Sequence, residues 1–80
     1  MEIKILGIGC PRCIRLEEVA REAAQELGVD ATFTKVKNMN EIMQYPISST
    51  PGLVINEKVV SSGRIPAKEE IMGWIQEATS

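Results

Sequence analysis

The 80-residue sequence has no histidine, two cysteines and no cluster of lysine or arginine, and each shortage removes a class of function. With no histidine and no cysteine besides Cys10 and Cys13, the chain cannot complete a structural zinc site of four histidine or cysteine ligands; zinc would require a second chain. Nine bases against eleven acids leave a net charge of −2, without the basic patch that nucleic acid or an anionic membrane surface selects. No stretch approaches the ~20 apolar residues needed to cross a bilayer. The N-terminus enters an apolar run directly, with no charged segment and signal core ahead of it. The expectation is a cytoplasmic, monomeric chain with no cofactor, no nucleic-acid partner and no membrane partner. In that compartment two neighbouring cysteines are catalytic or metal-binding more often than structural.

An apolar content of 44% and a charged content of 25% are ordinary for a globular protein, and the length suits one domain over residues 1–80. Residues 1–6 read as a central strand, because little of the run is polar. Over Pro11–Leu27, Leu16, Val19, Ala20, Ala23, Ala24 and Leu27 fall on one helical face, and Gly28 follows as a C-terminal cap. Glu17, Glu18, Glu22 and Glu26 read as a solvated face, with Glu17 and Arg21 a favourable pair. Residues 29–37 suggest a second strand, joined to the first by a right-handed crossover and so parallel to it. Asn38 and Glu41 resemble a capping box opening a short helix with Met39, Ile42 and Met43 inward, ended by Pro46. Residues 52–56 and Lys58–Ser62 make a hairpin turning near Asn56 and Glu57. A last helix beginning near Pro66 presents Ile71, Trp74, Ile75 and Ala78 to the sheet. The order β-α-β-α-β-β-α predicts an α/β fold, a four-stranded mixed sheet flanked by helices.

The stretch Gly7-Ile8-Gly9-Cys10-Pro11-Arg12-Cys13 joins the first strand to the first helix, at the strand edge where open α/β sheets place their sites. Pro11 suits the first helical position, which puts Cys10 at the cap, facing free backbone donors and the positive end of the helix dipole. That setting favours thiolate over thiol and lowers a cysteine pKa from ~8.5. Arg12 adds positive charge and is the candidate pKa-tuning residue, with Arg15 a turn further on. Cations at a helix start oppose its dipole, so their presence beside a thiol favours a chemical explanation. Cys13 lies one turn along the same face, within reach of a disulfide if the side chains point together. Dithiol exchange, a structural disulfide, half of a metal site and an inert pair all remain open on these residues. A ring this small is a poor staple, which argues against the structural disulfide.

The Cys-x-x-Cys at the first helix and Thr50-Pro51 ahead of the hairpin resemble the thioredoxin superfamily over essentially the whole chain. More narrowly, Gly9-Cys10-Pro11-Arg12-Cys13, Ser49-Thr50-Pro51-Gly52, Gly63-Arg64 and Glu69-Glu70-Ile71 look like the small archaeal and bacterial thioredoxin-like proteins with a redox-active disulfide. The resemblance implies a thiol–disulfide oxidoreductase that reduces protein or low-molecular-weight disulfides, with Cys10 attacking and Cys13 resolving. It further implies that Pro51 is a cis-proline beside the disulfide and that the Thr50 backbone pairs with an extended substrate. A disulfide reductase would be the electron donor and disulfide-containing proteins the substrates. The chain departs from the common thioredoxin pattern in having Gly9 rather than Trp before the first cysteine and Pro11-Arg12 between the two; Ser62-Gly63-Arg64 stands where glutaredoxins carry a Gly-Gly and acidic segment. The alternative is a copper(I) chaperone, whose Cys-x-x-Cys has the same placement. Such chaperones, however, close with a fourth strand rather than a helix and give Thr50-Pro51 no role.

Overall fold

The computed structural model describes residues 1–9, 11–47 and 49–79. Its elements follow the expected order: β1 (Glu2–Leu6), α1 (Pro11–Leu27), β2 (Thr32–Val36), α2 (Met39–Ile42), β3 (Gly52–Ile55), β4 (Lys58–Ser62) and α3 (Lys68–Thr79). The four strands form one sheet in the order β2-β1-β3-β4, with β1 parallel to β2 and antiparallel to β3, and β3 antiparallel to β4. The mixed α/β sheet is the one the element order predicts.

The second strand is shorter than its apolar pattern suggests, because its first residues serve the helix before it. Val29 N donates to Ala24 O across Gly28, whose φ of +68° closes α1, and pairing with β1 begins only where Thr32 N reaches Met1 O. The β3–β4 turn puts both Asn56 and Glu57 at positive φ, as a two-residue hairpin of this twist requires.

The two sheet faces are unequal. On one, Ile3, Ile5, Leu53 and Ile55 meet Leu16, Val19, Ala20, Ala23 and Ala24 of α1 and Ile71 and Ile75 of α3. On the other, Leu6, Val36 and Val54 are covered by Ile42, Tyr45 and Ile47. Because α2 is a single turn, only Ile42 faces the sheet; Met39 and Met43, expected inward, are 52% and 75% exposed. Trp74 is half-buried at the margin of the larger core and Ala78 is exposed, because an open groove of about 510 Å³ separates the end of α3 from β4. Among the described residues no helix is long and apolar enough to cross a membrane.

Candidate active site

At the C-terminal end of β1 the ladder runs one residue past the strand, Gly7 N donating to Val36 O at 3.0 Å, before the chain turns into α1. Cys13 sits in the first turn of that helix and is 6% exposed. Gly7 makes room for it: a Cβ there would collide with Cys13 Sγ and stand 3.3 Å from Cys13 Cβ. The absence of a side chain at Gly7 thus seats the second sulfur against the end of the central strand. Cys10, the expected attacking cysteine, lies outside the described residues.

The Thr50–Pro51 peptide bond is cis, as the resemblance implies, and Pro51 is buried. Gly52 pairs with Leu6, so Pro51 and Gly7 stand at the same end of the sheet. Two hydrogen bonds tie this loop to the helix start: Gly63 N donates to Pro51 O at 2.9 Å, and Arg12 Nη2 donates to Gly63 O at 3.0 Å. Gly63 has a φ of +74°, and a Cβ there would collide with Ser49 Oγ. Arg12, Cys13, Thr50 and Pro51, singled out in the sequence, therefore converge on one end of the molecule. From the first turn of α1, Arg12 thus reaches the loop after β4. Thr50 lines an open groove of about 370 Å³ with Met39, Met43 and Ile47.

Sequence reasoning missed a second group. A cavity of about 120 Å³ next to Cys13 is lined also by Glu17 and Lys35. Glu17 was expected on the solvated face, yet its side chain is only 12% exposed. Its Oε1 is 3.0 Å from Lys35 Nζ and its Oε2 is 2.9 Å from Arg21 Nη2. Partial burial pushes the Glu17 carboxyl up, but the bonds from Lys35 and Arg21 outweigh this and hold it below the ordinary carboxylate range. The available signal was spacing, since Glu17 lies four residues after Cys13 and so shares its helix face. Lys35 comes from β2, in register with Ile5, and helix periodicity alone could not place it.

Among the described residues no three or more Asp, Glu, Cys or His side chains gather to hold a metal ion. A family model described as a thioredoxin domain matches residues 1–76. The chain is 45% identical over 71 residues to a protein named thioredoxin from Methanothermobacter thermautotrophicus, covering 89% of this chain and 92% of that one. It is 42% identical over 69 residues to a second protein named thioredoxin, from Methanocaldococcus jannaschii, covering 86% and 79% respectively.

Proposed function

Because the chain belongs to the thioredoxin family, whose members are thiol–disulfide oxidoreductases, we propose that it reduces protein or low-molecular-weight disulfides through a Cys10–Cys13 dithiol. The observation that carries this reading is the seating of Cys13: a sheltered sulfur in the first turn of α1, packed on Gly7 and three residues after Cys10. A sheltered thiol is a poor first attacker and a good second one, since it meets only a partner already brought to it.

Cys10 directly precedes the first residue of α1, where helix donors and the Arg12 charge favour its thiolate. The Cys10 thiolate attacks one sulfur of the substrate disulfide, and the other leaves as a thiolate. The Cys13 thiol then loses its proton, and its sulfur attacks Cys10, breaking the mixed disulfide. The substrate departs with both sulfurs reduced, and the protein holds a Cys10–Cys13 disulfide. Two electrons have passed to the substrate, and a disulfide reductase must return two to restore the dithiol. The cis Thr50–Pro51 bond and the groove beside it support an extended segment of substrate paired along the Thr50 backbone. A reducing compartment such as the cytoplasm is where this dithiol would work, as one domain of 80 residues.

The test is a pair of variants on a model disulfide. Cys10→Ser should lower the rate of reduction by at least ~10³-fold, the scale expected for loss of an activated nucleophile. Cys13→Ser should react once and accumulate a mixed disulfide at Cys10, visible by intact-mass spectrometry. Parental rates for Cys10→Ser would end this reading.

A further inference from the structure

The cavity beside Cys13 has one acid and two bases in its wall, and the acid is paired with one of the bases. From α1 comes Glu17, whose far oxygen is bonded to Arg21; from β2 comes Lys35, and just beyond that strand Lys37. β1 and the turn after it contribute Ile5, Gly7 and Gly9, none of which titrates. Arg12 is turned to Gly63 O. Cys13 is buried, so its ionisation is governed by fixed charges at this wall more than by bulk water.

We propose that the Glu17–Lys35 ion pair is the charge balance that sets the protonation of Cys13, and with it the speed at which the mixed disulfide resolves. The proposal rests on the dithiol reading above. Glu17 opposes a thiolate at Cys13 and Lys35 favours one; paired, they leave Cys13 a thiol until an incoming mixed disulfide gives it a target. An early thiolate at Cys13 would compete with Cys10 for substrate, and a thiol that never ionised would leave substrate trapped. Glu17 and Lys35 are positioning residues in this scheme, acting through the sulfur and touching no substrate.

The two charges predict effects of opposite sign. Reduced protein is mixed with one equivalent of 5,5′-dithiobis(2-nitrobenzoate) in a stopped-flow instrument across pH. The first thionitrobenzoate appears as Cys10 attacks. The second appears when the Cys13 proton goes to solvent and its sulfur displaces thionitrobenzoate from Cys10, closing the Cys10–Cys13 bond. Glu17→Gln should move the midpoint of the second phase to lower pH, and Lys35→Met to higher pH. A more acidic thiol is also a weaker nucleophile, so the gain is partly cancelled. The Glu17→Gln second phase should be about two- to fourfold faster near neutral pH and slower than the parent above the midpoint, so the two profiles cross. Damage to the fold would slow the reaction at every pH and produce no crossing. Lys35→Arg keeps the charge and should restore the parental profile, which guards against a poorly folded Lys35→Met. Midpoints that stay fixed, or move the same way in both variants, would overturn the proposal while leaving the dithiol reading intact. Loss of the first phase in the parent protein would instead remove the dithiol reading itself.

Discussion

The first turns of the two long helices are built on opposite rules. α3 opens as helix stability requires, with Glu69 and Glu70 in its first turn. Glu70 Oε1 accepts from Ala67 N at 3.3 Å, and its two oxygens take a forked pair of bonds from Arg64 at 3.3 and 2.9 Å. The Arg64 guanidinium, and then the Ala67 N–H, hold the Glu70 carboxyl below its ordinary value. α1 has no acid in its first turn; it has Arg12, aimed at Gly63 O, and Cys13, pressed on Gly7. A cation at that place works against the helix dipole and in favour of a thiolate. The two helix starts meet at adjacent residues, Gly63 serving α1 and Arg64 serving α3. One helix start is arranged to hold the fold; the other carries no acid in its first turn, and under the dithiol reading its positive potential is left to the sulfurs.

Among substitutions at the two helix starts, Gly7→Ala should have the largest effect. The added methyl has no room beside Cys13 Sγ, and β1 on one side and α1 on the other hold both residues in place. Unfolding free energy in urea should fall by about 2–3 kcal/mol, the upper range for overpacking a tight site. Disulfide reduction should fall more than ~10-fold as Cys13 is displaced, because misplacement near 1 Å costs rate steeply. Parental stability and activity together would show that Cys13 is not seated by Gly7.

Arg12→Glu asks α1 to begin as α3 does. The acid gains a favourable dipole interaction and loses the bond to Gly63 O, both at an exposed position, so stability should change by less than about 0.5 kcal/mol. The thiol chemistry should respond far more. Alkylation of the reduced protein with iodoacetamide should shift to higher pH and slow by roughly tenfold at neutral pH, as expected when a positive neighbour of a thiolate becomes negative. Equal rates in parent and variant would mean that Arg12 serves the loop and not the sulfur.

How far these rules could be read from the sequence differs by element. The strands and long helices follow from apolar periodicity, and the hairpin from Asn56 and Glu57 between two β-rich runs. β1 could be placed inside the sheet because Ile3, Ile5 and Leu6 outweigh its two charged residues, Glu2 and Lys4. The inward methionines of α2 were misread because a one-turn helix has no stripe to repeat; only Ile42 finds the core. Glu17 was misread for a related reason. A helical wheel shows which side of α1 is polar, and the partner that draws Glu17 inward, Lys35, lies on a strand 18 positions away in sequence. The cis bond at Pro51 entered through family resemblance, since nothing in Ser49-Thr50-Pro51 distinguishes it from an ordinary turn.

The smallest effect completes the contrast, at the glycine of the helix built for stability. Gly73 lies inside α3 and is half-buried, and a Cβ there would meet no atom within 4 Å. With no neighbour to displace, Gly73→Ala acts through the unfolded chain, whose backbone freedom it reduces, and through helix propensity. The expected gain is about 0.5–1 kcal/mol, read as a higher midpoint in urea with an unchanged slope. The rate of disulfide reduction should not move, because α3 contributes nothing to the cavity beside Cys13. The same substitution is thus harmful at Gly7 and helpful at Gly73, and the difference is the sulfur that occupies one missing Cβ and not the other. A loss of stability at Gly73 would mean that α3, too, carries a constraint other than helix formation, and the division between the two helices would fail.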